Sequence, residues 1–178
     1  MPVATLVPLS EYLSQAYHPD CDYLEGTLQE RNVGEIAHSD AQSACLVYVR
    51  THYPDFWAGV EVRVQIKANR FRVPDVIIVR GTRPAGRIMT TPPLVSVQVL
   101  SPEDRAGDLQ SRLDDYFGFG VSTVWVLNPE TKRGFIHTAD GSHEARDGIL
   151  RTPSCPDLTV PLAAIFPAGA SVTDAGRP

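Results

Sequence analysis

Three polar residues stand where a purely structural segment has no need of them. Asp75 directly follows Pro74 and precedes the apolar run Val76-Ile77-Ile78-Val79. Gln98 interrupts Val95, Val97 and Val99, and with a period of two it turns to the opposite face from those valines, sharing it with Ser96 and Leu100. Arg112 belongs to a helical run, about 60° round from the stripe of Leu109, Leu113 and Tyr116 at about 100° per residue. From there it can reach over a sheet edge. A carboxylate and an amide on adjacent strands, with a cation from the following helix, can form one polar pocket. Such a pocket suits a hydrated divalent cation and a phosphate. Oxygen ligands hold Mg²⁺, which keeps several waters and bridges to phosphate. The ion activates water and stabilises charge that develops during in-line displacement, and a nearby cation steadies the phosphorus centre. Structural roles for the same residues stay open. Asp75 can accept backbone hydrogen bonds after proline, Gln98 can be a satisfied polar group in a half-buried strand, and Arg112 can pair with Asp108 or Asp115 on its own helix. Such helix-surface pairs are worth little.

These residues need a scaffold. LSEYLSQAY (9–17) reads as a short helix with Ser10 as its cap, and residues 23–33 as a hairpin around Glu25-Gly26. Across 35–52, Ala37, Ala41, Ala44, Cys45, Tyr48 and Val49 recur at helical spacing. The period then changes: Val60, Val62, Val64 and Ile66 alternate with polar residues as one half-exposed strand. A turn at Asn69-Arg70 leads to a second strand, 71–79, and after a proline-rich loop (81–93) to a third, 94–100. Ser101-Pro102-Glu103-Asp104 has the composition of a helix start, with Ser101 as cap and two acids at the positive end of the dipole. That helix is expected to run to about Phe117 and stop at Gly118 and Gly120. Strands follow at 121–128 and 133–138, joined by a turn at Asn128-Pro129-Glu130. The order predicts an α/β fold, a central mixed β-sheet flanked by helices, with a right-handed crossover from strand 94–100 to strand 121–128.

The chain has 178 residues, enough for one domain with a real core, expected over 1–166 with a flexible tail at 167–178. Lys plus Arg is 16 and Asp plus Glu is 21, a net charge of −5, so no broad basic surface is implied, though a local basic groove is compatible. No apolar run reaches the roughly 18 residues of a membrane span. The opening MPVATLVPLSEYL lacks the charged start of a signal peptide, and three cysteines without a C-x-x-C pair fit a reducing compartment, so a cytoplasmic location is expected. His18, His137 and His143 lack partners at metal-ligand spacing. Gly118-Phe119-Gly120 is a helix stop, and no serine nucleophile elbow is present.

Pro74-Asp75, VSVQVLS (95–101) and DLQSRLDDYFGFGVSTVWVLNPE (108–130) together resemble the Uma-two family of restriction-endonuclease-like proteins, in the PD-(D/E)XK superfamily, from about Tyr23 to Phe166. Tyr116, Gly120-Val121, Val124-Trp125-Val126 and Asn128-Pro129 match its Y…GV…YW…DP signature. The helix carrying His38 and the acidic-glycine turn at Glu25-Gly26 are also similar, which marks His38 and Glu25 as substrate-binding candidates. The resemblance implies a bacterial, metal-dependent nuclease using Mg²⁺ or Mn²⁺, acting on nucleic acid, DNA before RNA, and often as a homodimer in which each subunit cuts one strand. Residue by residue, Asp75 is the first acid. Gln98 stands where Glu is usual, and Arg112 where Lys is usual. Asp75 and Gln98 would be the metal ligands, and all three the catalytic set. Glutamine carries no charge for a hard cation, and arginine cannot act as a base. Two readings follow: a nuclease impaired by these replacements, or an inactive nuclease-like binding or regulatory module.

Overall fold

The structure, a computed structural model, describes residues 6–18, 20–31 and 35–167. The elements run α1 (Leu9–Ser14), β1 (Cys21–Leu24), β2 (Thr27–Glu30), α2 (Ile36–His52), β3 (Phe56–Val60), β4 (Val64–Lys67), β5 (Arg70–Arg72), β6 (Val76–Arg80) and β7 (Val95–Val99). They continue with α3 (Ala106–Phe119), β8 (Thr123–Asn128), β9 (Arg133–Thr138), β10 (Gly141–Glu144), β11 (Ile149–Arg151), β12 (Thr159–Pro161) and α4 (Leu162–Ile165).

A six-stranded sheet in the order β10-β9-β8-β7-β6-β3 forms the centre. It is mixed, because β7 and β8 run parallel through the α3 crossover while its other pairs are antiparallel. All five residues of β7 are buried, as expected for a strand covered on both faces. One face packs Val76, Ile78, Val95, Val97 and Val99 against Ala41, Cys45 and Val49 of α2. The other packs Ile77, Val124 and Val126 against Leu113 and Tyr116 of α3, and against Val64 and Ile66 of β4. A second, antiparallel sheet in the order β2-β1-β5-β4 carries a small aromatic core in which Tyr12 of α1 stacks on Tyr23, their centroids 4.9 Å apart. At the end of α3, Gly120 takes a left-handed conformation (φ 106°), and its N–H reaches the carbonyls of Tyr116 and Phe117.

Two expected strands are each split. The alternation over 60–66 continues through a break: β3 ends at Val60, Glu61 takes a positive φ of 52°, and β4 begins at Val64 in the other sheet. Likewise 71–79 divides at Pro74, which has no N–H for a ladder, so β5 joins the small sheet and β6 the large one. Two expected caps also fail. Ser10 lies within α1, which follows Pro8 with no side-chain cap. Ser101 does not start α3. Residues 101–104 form a turn in which the Ser101 N–H donates to Asp104 Oδ2 (2.8 Å), and the helix begins at Ala106. Weak patterning beyond Gly141 concealed β10, β11, β12 and α4. Apart from Pro167, the segment expected as a tail, 167–178, lies outside the described residues. No helix among the described residues is long and apolar enough to cross a membrane.

Candidate functional site

The break at Pro74 sets the site. It places Asp75 at the start of β6, beside the end of antiparallel β7, where its N–H donates to the Val97 carbonyl (3.1 Å). Its side chain is almost fully buried. Asp75 Oδ2 accepts the Val99 N–H at 2.7 Å. Oδ1 takes the Arg31 guanidinium from the end of β2 and lies 3.3 Å from His38 Nε2, from the first turns of α2. Gln42, one turn further along α2, donates to the Asp75 carbonyl at 3.1 Å. A small recess opens here, lined by Asp75, Arg31, His38, Ser101, Asp104 and Arg112. Asp75 and Arg112 therefore meet on one surface, although 37 positions separate them in the chain.

Arg112 is held from two sides. Its Nη1 lies 3.3 Å from Asp104 Oδ1, in the turn before α3, and its Nε 3.6 Å from Asp22 Oδ2 on β1. Neither Asp108 nor Asp115, the helix neighbours open to it from sequence, is among its ion-pair partners. Asp22 in turn accepts from Arg72 Nη1 (2.8 Å) and from the Val73 N–H (2.8 Å). Arg72, completely buried, also bonds Asp115 through Nε (2.7 Å) and Ser111 through Nη2 (2.8 Å). A buried arginine survives only with such a full set of acceptors.

Gln98 faces the α3 side, as period two requires, but does not line the recess. Its Nε2 donates to Tyr116 Oη (3.2 Å) and to the Val97 carbonyl (3.1 Å). Burial pushes the Tyr116 hydroxyl far above its ordinary value, so it is a fixed neutral partner. Glu25 is not brought to the recess either. It sits at positive φ (48°) in the β1–β2 turn, mostly exposed, with its carboxylate on Arg70 Nη1 (2.8 Å). Burial, then the Arg31 charge, hold His38 below the usual imidazole range, so its ring is neutral at pH 7.

These donors do not suit a divalent cation as they stand. Two carboxylates line the recess, Asp75 and Asp104, and all four of their oxygens already accept hydrogen bonds, from Arg31, the Val99 N–H, Arg112 and the Ser101 N–H. Two guanidinium groups line the same recess, and like charge opposes a cation. Among the described residues, no group of three histidine, cysteine or acidic side chains is placed to hold an ion together. What the recess offers is two guanidinium groups, each paired with a carboxylate of its wall, Arg31 with Asp75 and Arg112 with Asp104; a guanidinium is the kind of planar, permanently charged donor that recognises phosphate oxygens.

Asp22, Arg31 and Arg72 were not singled out from sequence, and Asp104 was read only as an acid at the expected helix start. Arg72 had a visible signal, a charge inside the apolar run Phe71–Val73. Arg31 had none, because a charged residue beside a turn is ordinary, and the signal at Asp104 pointed to a helix cap instead of the recess.

No curated protein matches this chain. A crystal structure titled as that of "a putative nuclease belonging to DUF820", from Anabaena variabilis, superposes with a TM-score of 0.75 at 19% identity. The match covers 90% of this chain and 97% of that one. At that identity it establishes the shared fold. The Uma2 family model, described as "Putative restriction endonuclease", matches residues 9–169. That span includes every element from α1 to α4, and the chain belongs to the Uma2 family.

Proposed function

We propose that the chain binds the phosphodiester backbone of nucleic acid, DNA before RNA, at the recess between Asp75 and Arg112, and that metal-dependent cleavage there is impaired. The observation that carries this reading is the shared recess: an acid at the head of β6 and a guanidinium from α3 both line it. Gln98 lies in the next strand, where an anionic ligand would complete a metal site. A neutral amide there, turned toward Tyr116, adds no charge, and the two carboxylates that line the recess, Asp75 and Asp104, are each paired with a guanidinium. Membership of a nuclease-like family supports the nucleic-acid substrate.

On this reading Arg112 contacts a non-bridging phosphate oxygen, Asp104 and Asp22 hold its fork in place, and Asp75 orients Arg31 and His38 toward the same group. The test is cleavage of single- and double-stranded DNA with Mg²⁺ and with Mn²⁺. Wild type, Gln98→Glu/Arg112→Lys and Asp75→Ala are compared. The double variant should cleave, the wild type far more slowly, and Asp75→Ala not at all. Equal cleavage by wild type and Asp75→Ala would remove the site from the chemistry. A wild type as fast as the double variant would remove the impairment.

A further inference from the structure

Beside the recess lies a larger cavity of about 480 Å³, lined in part by Tyr17, Arg31, His38, Gln42, Glu61 and Arg63. Arg31 and His38 belong to both, so the two spaces adjoin. Its volume falls within the range of small-molecule sites. Its walls are set. Arg63 donates to Asp20 through Nε (3.0 Å) and Nη2 (2.7 Å), to the Tyr12 carbonyl (3.0 Å) and to the Gln15 carbonyl (3.1 Å). Its guanidinium also lies 4.4 Å from the Tyr12 ring centroid. With its donors committed, Arg63 is a rigid, flat wall and not a phosphate ligand.

Tyr17 continues that wall, its ring 5.8 Å from that of Tyr12. The Tyr17 hydroxyl is buried yet has no hydrogen-bond partner among the described residues. An orphaned buried hydroxyl is costly and calls for a partner that arrives with a ligand. Across the cavity, Glu61 is held at positive φ, its carboxylate 3.5 Å from Gln42 Nε2. Aromatic and guanidinium planes with a few hydrogen-bonding groups, next to a phosphate site, are the equipment for an unstacked nucleobase.

We infer that this cavity receives one unpaired base, so the ligand is single-stranded or locally unpaired nucleic acid, with its phosphate at the mouth of the Asp75–Arg112 recess. The inference rests on the phosphodiester reading above and adds the strand state. A base inside a duplex is stacked and paired and cannot enter without being extruded.

The experiment measures binding of a fluorescent oligonucleotide, single-stranded and as the duplex of the same sequence, to the full chain without added metal. The wild type should bind the single strand about tenfold or more tightly than the duplex. Ala16→Leu, at an exposed position on the cavity rim, and Tyr17→Phe, which removes only the hydroxyl, should each erase most of that preference. Both should leave duplex binding unchanged. Circular dichroism confirms that both variants fold. Equal binding of the two forms by wild type overturns the base pocket and leaves the phosphate reading standing. So does a preference untouched by either variant. Binding of neither form overturns both.

Discussion

Arg72 Nη1 lies 2.8 Å from Asp22 Oδ2, and both side chains are buried to within 2% of full exclusion from solvent. Through this pair the small sheet grips the helix that carries Arg112, since Asp22 faces Arg112 and Arg72 bonds Ser111 and Asp115 on α3. The recess therefore depends on contacts between two sheets and a helix, not on one strand-helix unit.

Removing one partner of a buried ion pair leaves the other charge uncompensated. Asp22→Ala should cost about 3–5 kcal/mol. Glu25→Ala, which removes an exposed partner of Arg70, should cost under about 1 kcal/mol. Urea unfolding monitored by tryptophan fluorescence compares them. Similar small losses would show that Arg72 is satisfied without Asp22.

Stability should fall with acidification before ordinary carboxylates titrate. Burial, then the Arg31 charge, lower the His38 value; burial, then His143, lower that of half-buried His137. For each, the unfolded chain takes up a proton first. The stability is complete above the unfolded imidazole value of about 6.5, and is lost as pH falls toward the lower folded values. Unfolding free energies measured across that window should decline in wild type and decline less in His38→Asn. Identical slopes for the two proteins would separate His38 from the effect.

Gly120 closes α3 at φ 106°, and a Cβ there would meet the Pro92 ring, Cγ at 3.5 Å and Cβ at 3.8 Å, both ordinary contacts. The cost of Gly120→Ala is therefore backbone strain, about 1–2 kcal/mol. Gly118→Ala, within the helix and with nothing near its Cβ, should stabilise by about 0.5–1 kcal/mol. Thermal melts of the two variants should move in opposite directions. A shift of the same sign in both would contradict the cap geometry.

Where period and punctuation agree, the chain is readable. α2, β7, β8 and β9 fall close to their expected bounds because each carries a clean stripe or alternation. The same regularity misled at 60–66, where alternation runs on through Glu61 although the strand does not. Nothing local marks a chain changing sheets. At Pro74 the missing N–H was a usable signal, and it is this break that exposes Asp75 to the recess. Asp75, Gln98 and Arg112 were visible because polar residues in apolar surroundings are costly. Asp22, Arg31 and Asp104 were not visible as parts of the site, since their partners lie 50, 44 and 8 positions away and only folding brings them together.

Restoring a carboxylate at position 98 should create ion affinity. Gln98→Glu should be less stable than wild type without metal, because it buries a carboxylate against Tyr116. Saturating Mn²⁺ should return about 1–3 kcal/mol to the variant and leave the wild type unmoved. Calorimetric melts with and without Mn²⁺ decide it. An equal Mn²⁺ shift in wild type would mean that Asp75 and the amide already hold the ion.

The most direct measurement is the salt dependence of single-stranded DNA binding by wild type, by Arg112→Gln and by Arg133→Gln. Arg133 is a control on β9, mostly exposed and paired with Glu144. Arg112→Gln should bind about 1–3 kcal/mol more weakly, with a salt slope shallower by about one released counterion, while Arg133→Gln matches wild type. If Arg112→Gln keeps the wild-type affinity and slope, the phosphate does not lie at the recess between Asp75 and Arg112.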